Sequence, residues 1–140
     1  MKRKAIIVSI KGQVLSRREK LLLSKEKPWG IILFKRNIKS INRVQKLIKD
    51  IKNITKDKKF PILIDEEGIK VSRLIKIFNH RTNANFFGNL YKQDKRIAIS
   101  TYKNYLKSLC NILKQIGVNI NTIPVLDVLR KNTNKVIGRR

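Results

Sequence analysis

The chain has 140 residues, of which 41% are hydrophobic, and its formal net charge at pH 7 is +25. This length is typical of one domain, and the hydrophobic fraction is sufficient for a packed core, which excludes an intrinsically disordered chain. No apolar stretch approaches the length that a membrane-spanning helix needs, so we expect no membrane partner.

The positive charge allows two interpretations. A chain with 34 Lys and Arg against 9 Asp and Glu would suit a small basic protein that binds nucleic acid, because clustered cations displace counterions from phosphates. The same charge also follows from a composition crowded with Lys, Ile and Asn. The cations occur in every segment, in no long block and without the interleaved aromatic residues that stack on bases. This even spread disfavours nucleic acid as the partner and leaves it as the alternative.

Short continuous apolar segments rich in Ile and Val recur along the chain and predict strands. They lie at residues 5–10, 30–34, 60–64 and 118–128. Continuous apolar segments are typical of strands buried on both faces, as in a parallel sheet. The first segment is too short for the core of a signal peptide and has no small-residue cleavage site after it, so we interpret it as a strand.

Amphipathic segments between the strands predict helices. Ser16 and Glu19 have the spacing of a capping box, and Ser40 is the expected cap of a second helix. A third helix is predicted from Asp94 to residue 116, with Gly117 at its end. The resulting order β-α-β-α-β-loop-α-β requires parallel strands joined by right-handed crossovers. Four such units form either a small open sheet or half of an eight-stranded barrel.

The single cysteine, Cys110, falls on or beside the apolar face of the third helix, so we interpret it as a buried structural thiol and not as a nucleophile. A lone cysteine forms no internal disulfide, which suits a reducing compartment, and we expect a cytoplasmic protein. With one His and one Cys in the chain no metal site is expected, and no glycine-rich phosphate loop follows a strand. We therefore expect no cofactor.

Carboxylates collect where the predicted strands end, and ligands of parallel α/β folds bind at that edge. Asp65 ends an unbroken apolar strand, where a carboxylate needs a partner, so it is expected to contact a ligand or an arginine. Glu66 and Glu67 are interpreted as the start of a solvated turn, and His80 as an exposed loop residue. Asp127 ends the fourth strand, where a ligand contact and a structural role are equally compatible with the sequence.

Four segments of the sequence, in order, resemble one enzyme family. Residues 30–37 (GIILFKRN) resemble its G-x-I-L-F-x-R-N strand, and residues 61–74 (PILIDEEGIKVSRL) resemble its I-D-Q-E-G-G-R-V-x-R motif. Residues 117–128 (GVNINTIPVLDV) resemble G-I-N-x-N-x-A-P-V-L-D-V, and residues 136–140 (VIGRR) resemble V-I-G-D-R. These are motifs of the bacterial β-N-acetylhexosaminidases of glycoside hydrolase family 3. The resemblance covers essentially the whole chain.

The resemblance implies a fold, a function and site residues. The catalytic domain of this family is a TIM barrel, so the expected fold is the N-terminal half of a (β/α)8 barrel, with about four parallel strands, helices outside them, and residues 1–140 as a single partial domain. Members remove terminal N-acetylglucosamine from muropeptides in the cytoplasm during peptidoglycan recycling, which implies such a sugar or muropeptide as the ligand. By the same motifs the substrate-binding residues are Asp65, Arg73 and Arg140.

The sequence also departs from the family pattern. Ile69 stands where the motif has its second glycine, and a branched residue would distort the turn if that position needed a positive φ. The acid/base histidine loop and the nucleophilic aspartate of the family have no counterpart in these residues, so no catalytic residue is assigned.

The acidic residues that are present do not replace that machinery. Asp65 and Glu66 are neighbours whose side chains diverge on an extended strand and make a poor pair for glycosidic cleavage, and nothing in the sequence supports Asp65 with Asp127. We expect a truncated chain that is inactive alone, with a second fragment as the partner that would complete the barrel. An intact enzyme with other catalytic residues is the alternative.

Overall fold

The computed structural model describes residues 3–126 and 130–134. Over these ranges the chain forms a four-stranded sheet, four α-helices and one short 3-10 helix. In chain order the elements are β1 (Lys4–Val8), α1 (Arg17–Glu26), β2 (Pro28–Leu33), the 3-10 helix Lys35–Asn37, α2 (Ile41–Thr55), β3 (Ile62–Ile64), α3 (Ala84–Gln93), α4 (Lys95–Ile116) and β4 (Ile120–Asn121). Among the helices so described, none combines the length and the apolar character needed to cross a membrane.

The strands are parallel and lie side by side in chain order, β1-β2-β3-β4. In the register of the sheet, Ile31 lies beside Ile62, and Ile64 lies beside Asn121. Right-handed crossovers between strands that advance in one direction place the connecting helices on one face of the sheet. A doubly wound sheet would need a reversal of strand order, and the described strands contain none. The structure confirms the expected half barrel, whose sheet is open at β1 and β4.

Side-chain caps explain where the helices begin, and they confirm the predicted boundaries. Ser16 and Glu19 form the capping box of α1: Ser16 Oγ accepts the N–H of Glu19 at 3.2 Å, and the Glu19 carboxylate accepts the N–H of Ser16 at 2.7 Å. Ser40 caps α2, and Asp94 caps α4 by accepting the N–H of Ile97 at 2.9 Å. Gly117 ends α4 with a φ of 92°, a left-handed conformation that glycine adopts without steric cost.

The hydrophobic core lies between the helices and one face of the sheet. Side chains alternate between the two faces of a strand, and the set that includes Ile31, Leu33, Ile62 and Ile64 is fully buried in the core cluster. The helices contribute residues at helical spacing, namely Val44, Leu47, Ile48 and Ile51 of α2 and Leu109, Leu113 and Ile116 of α4. Each such side chain stabilises the fold by about 1.5–3 kcal/mol.

The prediction that the first strand is buried is wrong. Ile6 and Ile7 of β1 are 52% and 45% exposed, although they belong to a continuous apolar segment. The physical reason is position: β1 is an edge strand with β2 on one side only, and it lies outside the core cluster except for the partly buried Val8. The segment therefore has the apolar composition of an interior strand but lies at the edge of the sheet, where its side chains are exposed.

Two further differences concern the second half of the chain. Of the strand predicted over residues 118–128, the part that the structure describes (118–126) is strand only at β4, although Thr122 still donates its N–H to the carbonyl of Ile64 at 3.1 Å. Pro124, which has no N–H to give to a ladder, follows shortly after. Helix α3 (Ala84–Gln93) lies in the part of the chain that the expected order β-α-β-α-β-loop-α-β left as a loop, and Asn83 caps it by accepting the N–H of Phe86 at 3.0 Å.

Candidate functional site at the carboxyl ends of the strands

The carboxyl ends of the parallel strands meet at one edge of the sheet, and buried Asn37 ties the first two together. Its side-chain amide donates to the carbonyls of Ile10 and Gly12 at 3.1 and 2.7 Å, and its Oδ1 accepts the N–H of Phe34 at 2.8 Å. Asn37 is fully buried, so these bonds satisfy polar groups that water does not reach. The segments after β1 and β2 are thereby fixed relative to each other.

Asp65 and Arg73, two of the three predicted substrate-binding residues, lie together at this edge. Arg73 Nη2 donates to Asp65 Oδ2 at 3.1 Å, and Thr122 donates its hydroxyl to Asp65 Oδ1 at 2.8 Å. Both charged side chains are about a quarter exposed, 25% for Arg73 and 24% for Asp65. The expectation that Asp65 needs a partner at the end of an apolar strand is confirmed, and its partner in this structure is an arginine.

Arg73 also lies over an aromatic ring from the neighbouring strand end. Its guanidinium carbon is 5.5 Å from the ring centroid of Phe34, and that of Arg36 is 4.7 Å from the same ring. Arg36 donates in turn to the carbonyl of Ile10 at 2.9 Å and to the hydroxyl of Ser9 at 3.0 Å. The ring of Phe34 therefore lies within cation–π distance of two cations and helps to hold the Arg73 side chain beside β3.

Glu66 does not begin a solvated turn, and that interpretation is wrong. Its side chain is fully buried, and Oε2 accepts the backbone N–H groups of Arg73 at 2.8 Å and Leu74 at 2.9 Å. Because side chains alternate along an extended strand, Asp65 and Glu66 point in different directions, as we expected of neighbouring residues. Asp65 lies at the accessible edge, and Glu66 lies in the interior.

His80 is not an exposed loop residue either, because it is only 4% exposed and completes the bonding of Glu66. His80 Nε2 lies 2.7 Å from Glu66 Oε1, and His80 Nδ1 lies 2.8 Å from the hydroxyl of Tyr105 in α4. An ionised carboxylate only accepts hydrogen bonds, so His80 Nε2–H is the donor to Glu66, and the other ring nitrogen bonds the Tyr105 hydroxyl. The three side chains form one chain of hydrogen bonds, which is buried at Glu66 and His80 and partly buried at Tyr105.

A hydroxyl, an imidazole and a carboxylate in sequence are also the parts of a nucleophilic triad. Here the second carboxylate oxygen is engaged by two backbone N–H groups. Burial, the negative charge of Glu66 and the neighbouring Tyr102 raise the pKa of Tyr105 above its usual range. A raised pKa leaves less of the reactive phenolate at neutral pH, and the bonding of the Glu66 carboxylate to the backbone indicates an anchor and not a reactive group.

Asparagines of the fourth strand segment pair with the third. Asn121 accepts the N–H of Glu66 at 3.0 Å and donates to its carbonyl at 3.2 Å. Asn119 forms the same kind of pair two residues earlier, accepting the N–H of Ile62 at 2.7 Å and donating to the carbonyl of Phe60 at 3.0 Å. The N-x-N pattern in the sequence therefore holds both ends of β3 in place.

The turn between Asp65 and Arg73 accommodates the isoleucine that departs from the family motif. Gly68 has a φ of 141°, a conformation that favours glycine, whereas Ile69 is not among the residues with positive φ. The N–H groups of Glu67 and Gly68 donate to the carbonyl of Val71 at 2.9 and 3.3 Å. Ile69 is 46% exposed and leaves the turn intact.

Three other predictions concern residues elsewhere. Arg140, the third predicted substrate-binding residue, and Asp127 lie outside the described residues. Cys110 is exposed, so the interpretation as a buried thiol is wrong: it follows buried Leu109 and faces away from the core. Among residues 3–126 and 130–134, no three His, Cys, Asp or Glu side chains are grouped as a metal site would need.

Comparison with known proteins shows which enzymes this chain resembles in sequence. No family model matches the chain. The curated β-hexosaminidase of Xanthomonas axonopodis pv. citri is 28% identical over 135 residues, which cover 96% of this chain and 40% of that protein. The β-hexosaminidase of Thioalkalivibrio sulfidiphilus is 27% identical over 135 residues, which cover 96% of this chain and 38% of that protein.

Solved structures agree in fold and in sequence. The structure of NagZ from Neisseria gonorrhoeae in complex with N-trifluoroacetyl-D-glucosamine matches with a TM-score of 0.83 and 29% identity, over 90% of this chain and 36% of that one. A glycoside hydrolase family 3 β-N-acetylglucosaminidase from Paenibacillus sp. matches with a TM-score of 0.62 and 25% identity, over 87% of this chain and 23% of that one.

The chain is similar in sequence to curated β-hexosaminidases and in fold to a glycoside hydrolase family 3 β-N-acetylglucosaminidase. It corresponds to their N-terminal part, as the motifs suggested. This chain spans about 40% of the length of the curated relatives that it matches.

Proposed function

We propose that residues 1–140 form a partial barrel domain that binds the terminal N-acetylglucosamine unit of a β-N-acetylhexosaminidase substrate. In this proposal Asp65 and Arg73 contact the sugar, and Arg140 is a third contact. The observation that carries the proposal is the ion pair of Asp65 and Arg73 at the carboxyl edge of the sheet. The similarity to NagZ, which has been solved with a glucosamine derivative, supports the same ligand class.

The chemistry of the pair suits a ring with several hydroxyl groups. A carboxylate has about four lone-pair positions, and Asp65 uses two of them for Arg73 and Thr122. A guanidinium has five N–H donors in about one plane, of which Arg73 gives one to Asp65. An acceptor and a donor with unused capacity, side by side and a quarter exposed, are able to bind neighbouring hydroxyls of one sugar.

Hydrolysis requires more than these residues. Cleavage of a glycosidic bond needs an acid/base and a second carboxylate across the sugar from it. Glu66, the carboxylate next to Asp65, is fully buried and is engaged by three donors, so it is unsuited to either role. We therefore expect the 140 residues alone to bind N-acetylglucosamine without cleaving a chromogenic N-acetylglucosaminide.

A binding titration with N-acetylglucosamine, followed by calorimetry or NMR, tests the proposal. Loss of charge in Asp65→Asn should weaken binding by about tenfold or more, because a hydrogen bond to a charged group contributes about 1.5–3 kcal/mol. Asp57→Asn is the matched control: Asp57 pairs with Arg3 and its side chain is 25% exposed, close to the 24% of Asp65. Equal affinity of wild type and Asp65→Asn, or an equal loss in Asp57→Asn, would overturn the proposal.

We further propose that a second polypeptide segment covers the open sheet, and that the ligand in the cell is a muropeptide in the cytoplasm. The edge strand β1 and its exposed Ile6 and Ile7 support the first part, because an exposed apolar edge favours pairing with another strand. Co-purification with a segment that carries the remaining strands, followed by an N-acetylglucosaminide assay, is the test. Restored turnover that Asp65→Asn abolishes is the expected result, and a stable complex without turnover contradicts it.

A further inference from the structure

We propose that Glu66 is the positioning residue of this site: its buried carboxylate fixes the backbone of Arg73, so that the guanidinium of Arg73 reaches Asp65 and the sugar. This inference rests on the proposed function of Asp65 and Arg73. It gives a role to a residue that touches neither the sugar nor the accessible edge of the sheet.

The contacts of Glu66 link the two ends of one turn. Glu66 leaves β3 directly after Asp65, and its Oε2 accepts the N–H of Arg73 at 2.8 Å and that of Leu74 at 2.9 Å. Arg73 is therefore held twice, by its backbone at Glu66 and by its side chain at Asp65, 3.1 Å away. Leu74 is fully buried beside it, so the anchored backbone also has its neighbour packed in the core.

The other carboxylate oxygen connects this anchor to a helix. His80 donates to Oε1 of Glu66 at 2.7 Å and is bonded at Nδ1 to the hydroxyl of Tyr105 at 2.8 Å. Phe78 meets the ring of His80 edge-on with centroids 4.7 Å apart, which further restricts the imidazole. The position of Glu66 thus depends on α4 through two side chains, and the position of Arg73 depends on Glu66.

Because Glu66 is fully buried, its carboxylate needs all of its hydrogen-bond donors. A fully buried carboxylate is tolerated only when donors compensate its lost hydration, and Glu66 has three such donors. Removal of the carboxylate leaves the N–H groups of Arg73 and Leu74 without acceptors in the interior. The turn is then expected to move toward water, where these N–H groups find new acceptors, and this movement takes the Arg73 guanidinium away from Asp65.

A double-mutant cycle on N-acetylglucosamine binding separates this role from a general effect on stability. Glu66→Ala should weaken binding by the folded protein by about tenfold, and by less than about twofold when Arg73 is already Ala, because coupled residues are non-additive. Glu66→Gln should bind within about threefold of wild type, since the amide oxygen still accepts both backbone N–H groups and the amide NH2 donates to His80 Nε2 in the other imidazole tautomer. Asn119→Ala is the control, because it removes two hydrogen bonds at the far end of β3.

Two results would overturn the proposal. One is an unchanged affinity in Glu66→Ala, and the other is an equal loss on adding Glu66→Ala to wild type and to Arg73→Ala. If Glu66→Ala does not fold, Glu66→Asp replaces it: its carboxylate is one methylene shorter and does not reach all three donors, so a loss of about threefold or more is expected. Wild-type affinity in Glu66→Asp would overturn the proposal equally.

Amide hydrogen exchange without sugar distinguishes failure of this inference from failure of the proposed function. The amides of Arg73 and Leu74 should exchange about tenfold faster in Glu66→Ala, whereas those of Ile31 and Leu33 in β2 should be unchanged. If the wild-type chain does not bind the sugar and this selective change still occurs, the proposed function fails and the anchor stands. If both amides exchange at the wild-type rate in Glu66→Ala, the anchor is refuted.

Discussion

Asn121 and Glu66 exchange two hydrogen bonds across the sheet: Asn121 Oδ1 accepts the N–H of Glu66 at 3.0 Å, and its amide donates to the Glu66 carbonyl at 3.2 Å. This pair fixes the backbone at the point where β3 gives way to the turn that carries Arg73. Asn119 forms an equivalent pair with Ile62 and Phe60 at the opposite end of β3. Because only Asn121 contacts Glu66, comparing variants of the two asparagines distinguishes an effect on the site from an effect on the stability of the β3–β4 pair.

Asn121→Ala and Asn119→Ala should lower the free energy of unfolding by similar amounts, about 1–2 kcal/mol, because each removes two hydrogen bonds. Only Asn121→Ala should weaken N-acetylglucosamine binding, because only Asn121 holds Glu66. Urea unfolding gives the first quantity and calorimetry the second. A loss of sugar affinity in Asn119→Ala that matches the loss in Asn121→Ala would contradict the assignment.

Gly30→Ala should destabilise the fold by about 1–3 kcal/mol through overpacking. A Cβ at Gly30 would lie 2.9 Å from Pro61 Cβ and 3.0 Å from both Leu63 Cδ1 and the Pro61 carbonyl, between β2 and the strand beside it. Gly88→Ala in α3 is the matched control, because nothing lies within 4 Å of its added Cβ and alanine favours a helix by about 1 kcal/mol. Urea midpoints should move in opposite directions, and equal shifts would argue against the packing described.

Tyr105 should ionise at a higher pH than an ordinary tyrosine, because burial, the charge of Glu66 and Tyr102 raise its pKa. Its contribution to stability is fully present below the pKa of the unfolded chain, about 10, and is lost as pH rises through the higher folded value. A spectrophotometric titration of phenolate should lose its late component in Tyr105→Phe. A late component that survives in this variant would show that another phenol is responsible.

The open edge predicts self-association. Ile7 lies on the edge strand β1, opposite Gly30 of β2, and is 45% exposed. The 140 residues should therefore form dimers or larger species in a sedimentation experiment. Ile7→Lys should shift the distribution toward monomer. Ile97→Lys is the control, since Ile97 is 54% exposed but lies in α4, away from β1. A compact, stable wild-type monomer would contradict the open-edge interpretation.

Much of the fold follows from local signals in the sequence. The capping box at Ser16 and Glu19, the caps at Ser40 and Asp94 and the terminal Gly117 are determined by residues within one turn, and the structure has each of them. The partner of Asp65 was also predictable, because a carboxylate at the end of an apolar strand requires compensation. Such features depend on neighbours in the sequence.

The errors at Glu66 and at β1 concern features that depend on distant residues. The burial of Glu66 results from donors at Arg73, Leu74 and His80, which no local pattern connects. The exposure of β1 depends on how many strands lie beside it, and composition does not contain that information. One feature of the sequence did indicate the burial of Glu66. It stands where the family motif has an uncharged glutamine, so its carboxylate needs a polar partner nearby.

A titration of the ¹⁵N-labelled chain with N-acetylglucosamine, followed by amide chemical shifts, tests the central claim most directly. We predict that the largest shifts occur at Asp65, Arg73 and Thr122, with smaller ones at Phe34. Shifts confined to the opposite end of the sheet, around Arg3, Lys27 and Lys56, or no shifts at all, would contradict a sugar site at the carboxyl ends of the strands.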